Sequence, residues 1–382
     1  MSTERVVAAI QESTASREPL RITGRSNWLS AGRPVRAKTT LSLRDDSGVV
    51  GYVPGDLTLV VRAGTTLAEI ESVTAEHDQW LPLDPFGTDD GTIGATIATA
   101  SPGPLATGFG LPRDLLLGLE FVSGRGEVVR GGGKVVKNVA GFDLSRLLTG
   151  SWGTLGVITE VSLRLYARPK VDRTFVVALG RDERANAALI RAIAVSPLMP
   201  FALELVNSTA ARQLELGDKP MCIVRFGGNS AVVESQLKAL SQLTHTEEVD
   251  RSTWTKFRAL DREADSVIRI SSLPTRFLGT AAAIIADSPP EVIVAINPRR
   301  GVMRLATVQS RNPPSPGSVE AGLALDIPEE GKSADTVLIF EKLPEDVWPV
   351  VSPSVVADSL SRGVKSVFDP HNLLNPGILG NQ

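Results

Sequence analysis

Cysteine is nearly missing from this chain. Cys222 is the single one in 382 residues, which excludes an internal disulfide and any cysteine-rich zinc or iron–sulfur site supplied by this chain alone. A reducing, cytoplasmic compartment is expected. Histidine is almost as scarce: His77, His245 and His371 are the only three, their spacing fits no metal-ligand pattern, and no metal is expected. Neither charge is in excess. Forty Lys and Arg against 43 Asp and Glu leave a net charge of −3, without the basic stripe that nucleic acid binding needs. No stretch reaches the roughly 20 apolar residues that span a bilayer. The first twenty residues carry Glu4, Glu12 and Glu18 and lack the continuous apolar core of a secretory signal. Membrane contact is therefore expected only through partners.

What the chain does have is length, glycine and proline. At 382 residues it exceeds the size at which one hydrophobic core stops growing, so two domains are expected. The pattern from Val6 to Ser13 predicts a short opening helix, and LRIT, ending before Gly24, predicts a strand leading into a tight turn. LTLVVRAG (Leu57 to Gly64) reads as a strand, and Thr65 to Trp80 has helical spacing at Leu67, Ile70 and Val73. Leu81 to Gly156 is rich in Gly and Pro, interrupted by two β-rich runs that flank a hairpin at Ser123 to Gly126. Val157, Thr159, Val161, Leu163 and Leu165 then alternate with Ile158, Glu160, Ser162 and Arg164, the mark of a half-buried strand.

Beyond ARPK (Ala167 to Lys170) strands and helices alternate without Gly-rich loops. TFVVAL, RANAALIRAIAVS and FALELV read as one β-α-β unit, MCIVRF and SAVVESQLKALSQL begin another, and SVIRIS, EVIVAI and VMRLATV add strands. Ser310 to Asp335 reads as a loop of mixed order. No internal repeat indicates a solenoid. The tail, Lys365 to Leu379, mixes two prolines and two asparagines with large apolar side chains and is expected to pack back on the body of the protein. The expected boundaries are 1–168, 169–345 and a C-terminal strap, 346–382.

Three segments could bring backbone N–H groups against a bulky anionic cofactor, because Gly permits positive φ and close approach. They are Thr23-Gly24-Arg25-Ser26-Asn27-Trp28, Gly91-Thr92-Ile93-Gly94-Ala95-Thr96-Ile97-Ala98, and Gly150-Ser151-Trp152-Gly153-Thr154-Leu155-Gly156-Val157-Ile158. The second opens a helix whose N-terminus could face phosphate. None is a P-loop, since no GK[ST] ending occurs, and the G-x-G pairs at Gly108 and Gly124 lack the third small residue of a Rossmann turn. Taken singly, each segment could equally be ordinary turn chemistry.

In order and spacing, LPLDPFGTDDGTIGATIAT followed by LPRDLLLGLEFVSGRGEVVRGGGKVVKNVAGFDLSRLLTGSWGTLGVITEVSLRL resembles the flavin-binding domain of FAD-linked oxidases of the vanillyl-alcohol-oxidase, or PCMH, type. KNVAGFDLSRLLTGSWGTLGVIT is most similar to the FAD-binding subunit of bacterial glycolate oxidase. The resemblance covers residues 19–168 and the ending FDPHNLLNPGIL. It implies an α+β fold: a two-subdomain FAD-binding domain, an α+β, ferredoxin-like cap, and the strap. It also implies that Thr23 to Trp28 face the FAD pyrophosphate, that Gly91 to Ala98 line the ribityl and phosphate path, and that Gly150 to Ile158 offer backbone contacts. Asn375 and Pro376 would approach the flavin ring. Lys137, Asn138, Gly141 and Asp143 match the motif before the third segment, with Asp143 able to organise that loop.

The chain departs from that family in places. Gly24 stands alone where two or three glycines are usual, so the Arg25 guanidinium would replace part of the backbone cradle. Trp152 occupies a position often held by Glu, either packing on cofactor or partner or filling the core. No His or Cys lies between Thr23 and Arg33, so the FAD should be noncovalent. The cap motif H-x-G-D-G-N-x-H of paired 2-hydroxy-acid dehydrogenases is absent. His371, in the strap, and Arg225 and Arg269, inside strands with Arg304, are the remaining catalytic candidates, a structural carboxylate being the alternative partner for each arginine. The resemblance thus implies an FAD subunit of a complex oxidising a 2-hydroxy acid, beside a second FAD subunit and an iron–sulfur subunit. A free-standing 2-hydroxy-acid oxidase and a non-catalytic scaffold stay open at this point.

Overall fold

The computed structural model describes residues 3–133, 143–307, 336–351 and 358–380. They form two compact units: Met1–Pro102, Phe109–Arg168 and Ser352–Gln382 in one, Gly103–Gly108 and Pro169–Val351 in the other. The expected loop at Ser310 to Asp335 lies outside the described residues.

The first unit opens with α1 (Thr3–Ser16), then β1 (Leu20–Thr23) and β2 (Thr39–Ser42), which pair in parallel. A five-stranded antiparallel sheet follows, built from β3 (Val49–Val53), β4 (Thr58–Arg62), β6 (Leu116–Ser123), β7 (Val128–Gly132) and β8 (Gly156–Arg164), in the order β3-β4-β8-β6-β7. Its core gathers Leu59, Val61, Phe121, Val157, Val161 and Leu163 with Val6 and Ile10 of α1. The alternation expected for β8 holds from Glu160 onward, but Val157, Ile158 and Thr159 are all buried, because the strand sits between β4 and β6 with α3 (Ile93–Thr99) packed against it.

One expected element ends early. α2 (Leu67–Ala75) starts at a capping box, Glu69 N–H to Thr66 Oγ1 at 3.0 Å and Thr66 N–H to Glu69 Oε2 at 2.7 Å. It stops five residues before Trp80, and β5 (Gln79–Trp80) pairs with β9 (Tyr166–Ala167) instead. The reason is tertiary: Asp78 turns the chain at φ +52°, and Gln79 is held by Tyr52 at 3.0 Å and by the Pro54 carbonyl at 2.8 Å. Between β5 and β9 in the chain come α5 (Pro112–Leu115) and α6 (Leu144–Leu148) of this unit, and α4 (Ala106–Phe109), most of which belongs to the second.

The second unit is an eight-stranded antiparallel sheet. It contains β10 (Val171–Ala178), β11 (Ala202–Val206), β12 (Met221–Gly228), β13 (Glu247–Val249), β14 (Ser266–Ser271), β15 (Val292–Asn297), β16 (Val302–Thr307) and β17 (Val337–Lys342), ordered β13-β10-β12-β11-β15-β16-β14-β17. The helices are α7 (Glu183–Val195), α8 (Ser208–Gln213), α9 (Ser230–Ser241), α10 (Thr253–Arg258) and α11 (Pro274–Asp287). The expected β-α-β unit is split, since β12 inserts between β10 and β11. Each half of the sheet repeats one arrangement: the first strand of the half is second from the outer edge and the last strand forms that edge. The halves join through β11 and β15. Apolar side chains of one sheet face, among them Leu203, Leu205, Val224, Ile268 and Val294, pack against Ile190 and Ile193 of α7 and Phe277 and Ala281 of α11.

The tail returns to the first unit. After α12 (Ser359–Phe368), Leu374 bridges Leu20 in parallel, with Leu20 N–H to Leu373 O at 2.8 Å and Asn375 N–H to Leu20 O at 3.0 Å. Among the described residues no helix is long and apolar enough to cross a membrane.

Candidate functional site

The three Gly-bearing segments and the tail converge in the first unit, and their contacts explain most of the unusual residues. β1 delivers Gly24 against Thr92: a Cβ on Gly24 would stand 2.3 Å from Thr92 Oγ1, so this glycine is required by close approach. Ser26 adopts φ +65°. The Asn27 side chain hydrogen-bonds Asp90; the Thr88 hydroxyl first, then Asn27 and Arg25, hold that carboxyl below its ordinary range against an opposing effect of burial. Arg25 therefore lies in the field of the acidic residue just before the second segment. Trp28 stands 6.2 Å, centroid to centroid, from Trp152 of the third.

The second segment corrects one expectation. Thr92 caps α3, but the Ile93 N–H donates to Thr65 O and the Gly94 N–H to Ala63 O, both at 2.9 Å. A seven-residue helix whose leading donors are bonded to protein carbonyls has little left to offer a phosphate. Gly94 is glycine for packing, since its Cβ would lie 2.7 Å from Ala63 Cβ and 2.8 Å from Ala63 O. Gly91 sits in the preceding turn with its carbonyl accepting from Leu67. Ile93 and Ile97 are core residues, Thr92 and Thr96 are buried, and Ala95 is exposed. Ile97 and Ala98 meet the third segment through their carbonyls, which accept from Gly150 at 3.1 Å and Trp152 at 2.8 Å.

In the third segment Gly150, Trp152 and Gly153 all have positive φ, at +81°, +54° and +70°. Trp152 is buried. Thr154 bonds back to Ser151, and its carbonyl accepts from Lys365 at 2.7 Å. Gly156 opens β8 beneath the Phe121 ring, whose Cδ2 would meet a Cβ at 2.4 Å, and Val157 and Ile158 are sheet core. Gly156 to Ile158 thus serve sheet packing. Asp143 caps α6 by accepting from Arg146 N–H at 3.0 Å. Lys137, Asn138 and Gly141 lie outside the described residues.

Asn375 ties these loops together. It is 3% exposed and holds φ +43°. Its Oδ1 accepts from Ile22 N–H at 2.7 Å and its Nδ2 donates to Trp152 O at 2.8 Å.

Two features fit an extended polar cofactor lying along these loops. Four buried hydroxyls, those of Thr23, Ser101, Ser145 and Ser151, find no hydrogen-bond partner among the described residues, and buried polar atoms are ordinarily satisfied. Four residues other than glycine, Ser26, Ala100, Trp152 and Asn375, hold left-handed backbone in the same loops, the kind of strain that gathers at ligand clamps. Ser101, Ser145 and Ala100 escaped the sequence reading, because a serine or alanine in a Gly- and Pro-rich stretch gives no sign of burial or positive φ.

The catalytic candidates fare differently. His371 is exposed on the turn after α12, and His77 and His245 are exposed in separate connecting segments, after α2 and before β13. Arg225 forms a two-point pair with Asp172, Nε to Oδ1 at 2.8 Å and Nη2 to Oδ2 at 2.6 Å. Arg269 Nε bonds Glu341 Oε1 at 2.7 Å, and Arg304 bridges Asp261 and Glu341. Each strand arginine has the structural carboxylate that burial demands, so Arg225 and Arg269 are held as ion-pair members.

Comparison with known proteins gives these loops their context. Residues 1–132 match the FAD binding domain family FAD_binding_4. The glycolate oxidase subunit GlcE of Escherichia coli is 34% identical over 251 residues, which span 65% of this chain and 66% of that protein. The glycolate oxidase subunit GlcD of Bacillus subtilis is 25% identical over 353 residues, 84% of this chain and 75% of that one. Among solved structures, p-cresol methylhydroxylase superposes with a TM-score of 0.73 over 100% of this chain and 88% of its own, at 15% identity, which establishes the fold. The chain belongs to the FAD-linked oxidases with a PCMH-type flavin-binding fold, and FAD is its cofactor.

Proposed function

We propose that the chain is the FAD-binding subunit of a glycolate-oxidase-like complex that oxidises a 2-hydroxy acid to the 2-oxo acid. The observation that carries this reading is the meeting of four unpartnered buried hydroxyls with the strained loops of Ser26, Ala100, Trp152 and Asn375. Similarity to the GlcE and GlcD subunits supports the substrate class and the complex. Bound FAD would supply a redox group able to take up two electrons. The chain's own part is binding and orientation: the hydroxyls of Thr23, Ser101, Ser145 and Ser151 offer hydrogen bonds, and Trp28 and Trp152 offer aromatic surface.

Attachment is noncovalent in this reading. Cys222 is fully buried, and burial, helped by Glu204, pushes its thiol up to about 12, so it supplies no thiolate nucleophile. The cap motif H-x-G-D-G-N-x-H is absent from the sequence, and Arg225 and Arg269 are engaged by carboxylates. The hydroxy-acid site therefore belongs to a second FAD subunit, with an iron–sulfur subunit taking the electrons.

The visible spectrum of the protein purified alone, before and after anaerobic glycolate or lactate, tests this. A flavin band at about 450 nm that persists with substrate is expected. A band that bleaches would show that the chain oxidises the acid without partners, and no band after reconstitution with FAD would overturn the flavin reading.

A further inference from the structure

We infer that Asn375 is a positioning residue: its side chain clamps the first and third flavin-facing segments to each other, and a buried Lys365–Asp369 latch sets it in place. This rests on the FAD reading above and deepens it, because the resemblance to FAD-linked oxidases points this tail residue at the flavin ring, whereas its amide is committed to the protein. Oδ1 takes the Ile22 N–H at 2.7 Å and Nδ2 gives to the Trp152 carbonyl at 2.8 Å. Ile22 immediately precedes the Thr23 to Trp28 turn. Trp152 lies in the middle of the third segment, at φ +54°. The next residue, Gly153, admits no side chain, since a Cβ there would stand 2.8 Å from Asn375 Nδ2.

The latch lies just upstream in the tail. Lys365 is the one buried residue of α12. Its ammonium donates to Asp369 Oδ2 at 2.6 Å and to the Thr154 carbonyl at 2.7 Å, so it grips the third segment directly. Asp369 accepts from the Leu373 and Leu374 N–H groups at 3.1 Å and 2.9 Å, folding the turn that leads to Asn375. A lysine buried inside an amphipathic helix costs desolvation, and burial does lower its pKa against the pull of Asp369. Leucine at 365 could fill that space but could not bond a carboxylate and a carbonyl together. The arrangement makes the spacing of the two loops depend on a residue more than 200 positions away in the chain.

Asn375→Leu and Asn375→Asp in the full chain test the clamp. Both are read by FAD titration of apoprotein, by the band shape of bound flavin and by far-UV circular dichroism. Loss of two neutral hydrogen bonds predicts FAD binding weakened about tenfold or more in Asn375→Leu, with a shifted or less resolved flavin band and unchanged secondary structure. Asn375→Asp keeps the acceptor for Ile22 and loses the donor for Trp152, so it should show the same direction of change; it also covers the case in which the leucine variant fails to fold. Lys365→Met should reproduce the spectral change and Lys365→Arg should restore it in part. Wild-type affinity and band shape in Asn375→Asp would overturn the clamp while leaving the flavin reading intact. Absence of FAD binding in the unaltered protein would overturn both.

Discussion

Replacing Gly94 with valine is expected to yield protein that keeps little or no flavin and melts about 10 °C below the unaltered chain. A Cβ at this position would lie 2.7 Å from Ala63 Cβ and 2.8 Å from the Ala63 carbonyl, and neither atom belongs to a flexible side chain that could swing away. Over-packing of this kind costs about 1–3 kcal/mol. Valine would also push α3 off the end of β4 and break the Gly94 N–H to Ala63 O bond of 2.9 Å. A total of about 3 kcal/mol translates to roughly 10 °C for a unit of this size. The displacement reaches the loop of Gly150 to Gly153 because Ile97 and Ala98, one helical turn along, carry the carbonyls that hold Gly150 and Trp152. Gly363→Ala is the control: nothing lies within 4 Å of its Cβ position, and alanine within a helix should raise stability by about 0.5–1 kcal/mol. Flavin content and melting temperature are the measurements. Normal values for Gly94→Val would mean that α3 is not seated on Ala63.

Glu341→Gln is expected to destabilise the second unit by about 3–5 kcal/mol, the usual cost of stripping one partner from a buried ion network. Glu341 is 1% exposed, with Arg269 on one oxygen and Arg304 on the other, and Arg304 also reaches Asp261. Burial by itself would raise this carboxyl's pKa; Arg304, then Arg269, and their hydrogen bonds together outweigh it and hold the pKa below its ordinary 4.5. A depressed folded value means stability fully present above 4.5 and lost as pH falls through the folded value, because the unfolded chain binds the proton first. Denaturant unfolding followed from pH 7 to pH 3 should therefore show an acid-side fall in the unaltered protein and a shallower one, from a lower starting point, in Glu341→Gln. An unchanged slope would place the acid sensitivity elsewhere. The same network removes Arg269 from the list of free cations available to a substrate carboxylate.

The parts of this protein legible in its sequence are those governed by near neighbours. The amphipathic spacing of Val6 and Ile10 places α1, the Ser123 to Gly126 turn places the hairpin of β6 and β7, and Thr92 ahead of a run of small and apolar residues places the start of α3. The ordered character of the tail was equally readable, since Leu373, Leu374 and Asn375 are buried. Asp78 and Gln79 show the limit. Helical spacing runs through them, yet bonds from Tyr52 and Pro54, more than 20 residues away, pull Gln79 into a strand.

The candidate site divides in the same way. Which segments could serve a flavin followed from glycine positions and from the resemblance to FAD-linked oxidases; what each glycine is for did not. Gly24, Gly94 and Gly156 turn out to admit Thr92, Ala63 and Phe121, partners visible only when distant segments meet. The unpartnered hydroxyls of Ser101 and Ser145 and the paired state of Arg225 and Arg269 were hidden for the same reason, because burial and ion pairing are properties of a neighbourhood. By itself the sequence determined the composition class and the most strongly patterned helices and strands, set by local backbone preference and hydrophobic periodicity, and it singled out three glycine-bearing segments as cofactor candidates. Only the tertiary structure decided the order of strands in the sheets, the seating of α3, and the joining of residues 22, 152 and 375 through one asparagine, since each depends on contacts across tens to hundreds of residues that no local pattern encodes.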